Sequence, residues 1–252
     1  METALEYRAV LAVDIEKSSG RGNTALMDNR RTLRRLLEAA FDRAGVAWEA
    51  CARHDLGDGL CVTAPAGTRK AVLVHPLVDE LAGLLRAHNA QDRDPATRFR
   101  LRAALHAGEV GLTADGHAVG APLETLARLL DAPPLRTALE RAPRTVPVAL
   151  LMSRHFYDDT VRHGYDGIDP DTFHEVGFTV KEFTADAWLH TPGWTPPREP
   201  VRKKGRGRSG RKARDRDRAA PGPTTMNNKA SGNGVINAAQ NGDLHVRITR
   251  HV

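Results

Sequence analysis

The chain has only two cysteines, Cys51 and Cys61, in 252 residues, with no CxxC pair and no histidine cluster. That excludes a disulfide scaffold and a cysteine-based zinc site. It fits two reduced, buried thiols. No stretch approaches the roughly 18 consecutive apolar residues of a membrane span. The N-terminus, Met1-Glu2-Thr3-Ala4-Leu5-Glu6, lacks the basic region and apolar run of a secretion signal, so a cytoplasmic protein is expected. Aromatic residues make up 5% of the chain, and none is interleaved with the basic residues near the C-terminus. The stacking platform of a single-strand nucleic-acid binder is therefore missing.

Charge is unevenly spread. The whole chain carries +6, of which 198–218 hold +8 and 219–252 hold +2, leaving −4 on the first 197 residues. The basic character belongs to the C-terminal part. A mildly acidic body argues against nucleic acid as its partner.

Tyr7 to Ile15 is a nearly continuous apolar run, read as a strand buried on both faces, with Asp14 near its end. After a Gly/Ser/Asn-rich loop (18–23), Leu33, Leu36, Leu37, Ala40, Phe41 and Ala44 recur at helical spacing, and Gly45 ends that helix. Two strands, 46–53 and 60–64, flank the turn signature His54-Asp55-Leu56-Gly57-Asp58-Gly59. A helix over 76–88 and an alternating strand over 98–106 follow. This order is ferredoxin-like βαββαβ, in which the first strand lies antiparallel to the third. Asp14 and Asp58 are thereby expected to converge. Beyond the core, the pattern predicts a helix over 123–130, an extended 148–152, a short helix within 153–163, and late strands over 173–180 and 187–190. The fold class is thus α+β, a ferredoxin-like core extended by further helices and strands.

Four of these segments resemble a known family. Val13-Asp14-Ile15, Leu56-Gly57-Asp58-Gly59, Leu105-His106-Ala107-Gly108-Glu109-Val110, and Gly120 followed by Ala127-Arg128-Leu129 resemble, in order and spacing, the class III adenylate/guanylate cyclase catalytic domain over residues 7–190. Val180-Lys181-Glu182 is similar to the Leu-Lys-Gly element of such domains. The turn from Asp55 to Gly59 is similar to that of actinobacterial cyclase-homology proteins. The resemblance implies that Asp14 and Asp58, with Ile15 in the same set, hold two Mg2+ or Mn2+ ions. These would bind a nucleoside triphosphate and activate its ribose 3′-hydroxyl for attack on the α-phosphorus, clamping attacking and leaving oxygens. It implies phosphate contacts from the loop at Ser18 and Ser19 and from Lys181. It also implies a homodimer, with metal carboxylates from one protomer and transition-state residues from the other.

Other positions depart from that pattern. His54 stands where the family reads the base with Lys or Glu, and His117 stands at its partner position. Arg128 keeps the transition-state arginine, but Glu124 replaces the asparagine one turn before it. A carboxylate beside a polyanionic triphosphate has the wrong sign for stabilising the transition state. His106 is read as a packing and hydrogen-bonding residue, and Asp55 as a turn carboxylate.

The domain boundaries expected are 1–197 for the cyclase-like domain, 198–226 for a basic disordered linker, and 227–252 for a short assembly motif. The linker has almost no apolar residues with which to form a core. Residues 227–243 are rich in Asn, Gln and Gly around Val235-Ile236, and Leu244-His245-Val246-Arg247-Ile248-Thr249 alternates apolar and polar residues. Such sequences suit in-register cross-β pairing. This segment resembles the C-terminal amyloid-signalling motifs of bacterial effector proteins, which implies a protein partner carrying a matching motif. Two functions stay open on the sequence. One is a nucleotide-binding signalling domain coupled to that motif, resting on Glu124, His54, His117 and the tail. The other is an active cyclase making a 3′,5′-cyclic nucleotide and pyrophosphate, resting on Asp14, Asp58 and Arg128.

Overall fold

The computed structural model describes residues 5–92 and 94–195. The expected linker and assembly motif lie outside the described residues. The sheet is eight-stranded. Its strands are β1 (Leu5–Ile15), β2 (Ala52–Asp55), β3 (Gly59–Thr63), β4 (Leu101–Leu112), β5 (Ala118–Val119), β6 (Val148–Ser153), β7 (His174–Val180) and β8 (Phe183–His190). Along the sheet the order is β2-β3-β1-β4-β6-β8-β7, with β5 pairing to β4. The helices are α1 (Asn23–Arg43), α2 (Leu77–Gln91), α3 (Ala121–Leu130), α4 (Pro133–Arg141) and α5 (Arg154–Asp159).

Strand alternation divides the core between the two faces of the sheet. Leu11, Val13 and Ile15 of β1 pack with Leu33, Leu37 and Phe41 of α1 and Leu77, Leu81 and Leu85 of α2. Val10 and Ala12 pack on the other face with Leu126 and Leu129 of α3 and Leu135 and Leu139 of α4. Both faces of β1 and β4 are covered, as their near-continuous apolar composition requires. No helix among the described residues is long and apolar enough to cross a membrane.

The strand expected over 46–53 is mostly not one. Trp48 sits in a 3-10 turn, Trp48–Ala50. There its ring packs on Phe41 at 5.2 Å between centroids, and pairing begins only at Ala52. Helix α4 lies between the helix over 123–130 and the extended 148–152, where the sequence pattern predicts no element, and Pro133-Pro134 open it. Proline is tolerated in the first turn of a helix, where no intrahelical N–H bond is lost.

Candidate functional site

Asp14 falls in the set of β1 side chains that faces α3 and α4, but at the end of the strand, where apolar packing gives out. The β1–β3 register sets it opposite Gly59. A Cβ on Gly59 would lie 2.1 Å from the Val13 carbonyl oxygen, so only glycine lets β3 close onto β1 beside Asp58. Gly57 supplies the turn with φ 90°. The Asp55 carboxylate caps the turn, accepting the Gly57 N–H at 2.7 Å. The Ile15 N–H donates to the Asp58 carbonyl at 3.1 Å. The Ile15 carbonyl points to the same side as its N–H. Asp14 and Asp58 both line a cavity of about 640 Å³.

Arg102 of β4 stands opposite Asp14. It donates from Nε to Oδ1 at 2.8 Å and from Nη2 to Oδ2 at 2.5 Å. Asp14 is only 8% exposed. Burial raises its carboxyl to about 6, with Arg102 pulling down and Asp58 and Asp131 pushing up. Two residues along, Arg100 grips Glu16 in the same bidentate way, at 2.8 and 2.9 Å. Arg21 then staples the loop after β1, donating to the carbonyls of Lys17, Glu16, Ala96 and Arg98 at 2.9, 3.1, 3.2 and 2.7 Å. On this braced loop the Ser18 hydroxyl donates to Asp58 Oδ2 at 2.5 Å. Ile15, Ser18, Ser19, Asp58, Arg102 and Arg136 line a second cavity of about 300 Å³. The two cavities share Asp58.

His54 and His117 meet on the wall of the larger cavity, ring centroids 5.9 Å apart and edge to face. Leu56, Val119, Leu123, Leu126 and Leu130 make the rest of that wall largely apolar. Glu124, Arg128 and Lys181 line neither cavity. Glu124 is exposed on α3, and Arg128 Nη2 is 3.1 Å from Glu182 Oε1. Lys181, with φ 54°, sits beside Glu182 in the turn joining β7 to β8. The structure therefore gathers Asp14, Ile15, Ser18, Ser19 and Asp58 at one edge and His54 with His117 beside them. Glu124 and Arg128 of α3, and Lys181 of the hairpin turn, stay outside, although α3 lends its apolar face to the larger cavity.

This architecture has relatives of known structure. It is similar to the guanylyl cyclase Cya2, with 13% identity and a TM-score of 0.53 over 80% of this chain and 98% of that one. An adenylate/guanylate cyclase/hydrolase from Silicibacter pomeroyi gives 19% and 0.54, over 76% and 99%. The catalytic core of a rhodopsin-guanylyl cyclase with converted specificity, in complex with ATPalphaS, gives 16% and 0.50, over 76% and 98%. The fold is that of class III cyclase domains. No family model matches the chain, and no curated protein matches it in sequence.

Within this cyclase fold the site is also built from Glu16, Arg21, Arg100, Arg102, Asp131 and Arg136, which the sequence motifs do not mark. One signal was present. Asp14 and Glu16 on one strand, and Arg100 and Arg102 on another, share a two-residue spacing, which becomes cross-strand pairing once the register is known.

Proposed function

We propose that this domain binds a nucleoside triphosphate with a divalent cation and turns it over slowly or not at all, serving as a signalling domain. The carrying observation is the contrast between an assembled carboxylate edge and an α3 surface that holds Glu124 and an Arg128 engaged by Glu182. The donor set fits Mg2+ or Mn2+, because Asp14, Asp58 and the Ile15 carbonyl are hard oxygens. Among the described residues no group of three or more His, Cys, Asp or Glu side chains is placed to hold a metal. The remaining coordination would come from phosphate and water, as magnesium accepts. Bound there, the cation supplies Lewis-acid polarisation of the triphosphate. Arg102 takes one lone pair on each Asp14 oxygen and leaves the others to a cation.

This chain's residues have distinct tasks. The braced loop presents Ser18 and Ser19 to phosphate oxygens, and His54 and His117 face the base. In a homodimer, Arg128 of one protomer meets the nucleotide held by Asp14 and Asp58 of the other once Glu182 releases it. Lys181, beside Glu182, reaches the same phosphates. Glu124 brings a carboxylate to that meeting and raises the barrier. Residues 227–252 couple the domain to a partner by β-pairing, in the cytoplasm of a bacterium. The assembled Asp14–Asp58 edge also favours a second reading, an active cyclase. Incubation with each of the four NTPs and Mn2+, read by mass spectrometry, decides between them. The expected result is little or no cyclic nucleotide from the wild type and more from Glu124→Asn. Wild-type turnover of about 1 per second or faster, the ordinary enzymatic range, would overturn the proposal.

A further inference from the structure

We propose that Arg136, on α4, is a polyphosphate-binding residue of this chain, held in readiness by Asp131. The proposal rests on the nucleotide-binding reading above. Arg136 lines the smaller, polar cavity together with Ser18, Ser19, Asp58 and Arg102. Its Nη2 is 3.1 Å from Asp131 Oδ1, and Asp131 lines the larger cavity with Asp14 and Asp58. The Arg136–Asp131 pair thus spans the boundary between the two cavities.

The two side chains are 55% and 62% exposed. An ion pair so wet holds its partners weakly, so a triphosphate can take Arg136 from Asp131. The local chain makes the reach possible. Asp131 ends α3, Ala132 is buried, and Pro133-Pro134 start α4 at once, so Arg136 is set one turn into a new helix. The other arginine of this cavity, Arg102, is bound to the buried Asp14. Arg136 is therefore the guanidinium free to move first, and its planar fork matches two phosphate oxygens. Glu140 and Asp58, on the same cavity, set a limit on anion affinity that the arginines must outweigh.

The test is calorimetric titration of the full chain with inorganic tripolyphosphate and with each NTP, in Mn2+. The proteins compared are wild type, Arg136→Ala, Arg136→Lys, and Arg31→Ala as a remote control. Loss of one charge-assisted contact predicts an affinity about tenfold weaker for Arg136→Ala. The lysine variant recovers part of it, the control is unchanged, and thermal midpoints stay alike because the pair is exposed. Asp131→Asn is expected to tighten tripolyphosphate by freeing Arg136. Equal affinity in wild type and Arg136→Ala, or weakening by Asp131→Asn, overturns this inference while leaving nucleotide binding intact. A wild type that binds no NTP overturns both.

Discussion

Asp14 meets two opposed demands. It closes a strand inside the sheet, where burial disfavours its charge, and it faces Asp58 and Asp131, which disfavour it further. The Arg102 fork is the counterweight. Removing one partner of a largely buried ion pair leaves the other uncompensated, at about 3 kcal/mol or more. Arg102→Ala is therefore expected to lose about 3 kcal/mol in urea unfolding. A loss under about 0.5 kcal/mol would show that the pair is solvated. His106 gives a second residue-scale test. The Ser153 hydroxyl accepts the Phe156 N–H at 3.1 Å and caps α5, and it lies 2.7 Å from His106 Nδ1. It donates to that nitrogen only while the ring is neutral. Burial, then His155, pushes the ring from 6.5 down to about 4. His155 in turn is bonded to Tyr7 at 2.5 Å, beside Asp159 and Lys70. The folded pKa is below the unfolded one, so His106 contributes stability above pH 6.5 that is lost as pH falls toward 4. Unfolding at pH 7, 5.5 and 4.5 is expected to show a smaller loss in His106→Gln than in wild type, by on the order of 2–3 kcal/mol at the lowest pH. Parallel losses would refute the role. Asp14 and Asp58 were legible in the sequence because topology alone brings their segments together. Arg102 was not, since its partner depends on register.

At the scale of elements, the turn from Asp55 to Gly59 and helix α3 decide the site. Gly59 permits the β1–β3 approach, and an added methyl would meet the Val13 carbonyl oxygen at 2.1 Å and Asp14 Cα at 3.0 Å. Gly59→Ala is expected to cost about 2–3 kcal/mol, in the range of overpacking, and to weaken nucleotide binding by displacing Asp58. Unchanged stability would mean that β3 moves freely. The long periodic elements, β1, α1, α2 and β4, were readable because burial on one or both faces fixes their apolar pattern. Helix α4, opened by Pro133-Pro134, is not among the elements that the pattern predicts. Strand β2 was placed too early because Trp48 leaves the strand pattern to pack on Phe41. Both misses bear on the site, since α4 carries Arg136 and β2 carries His54.

For the whole molecule, a body of charge −4 precedes a +8 segment and an amide-rich, alternating C-terminus. A short strand is in general marginal alone and gains from pairing with copies of itself. A peptide of residues 227–252 is expected to form fibrils with a cross-β spacing of about 4.7 Å, and Ile236→Asp or Val246→Asp to slow them. A peptide that stays monomeric when seeded removes the assembly half of the function. Nucleotide binding by the body is decided by calorimetric titration of the full chain with NTPs, with and without Mn2+, in wild type and Asp58→Asn. Binding by the wild type is expected to require the cation and to be at least about tenfold weaker in Asp58→Asn, whose amide still accepts from Ser18 but carries no charge. Equal, cation-independent affinity in the two proteins would contradict that expectation.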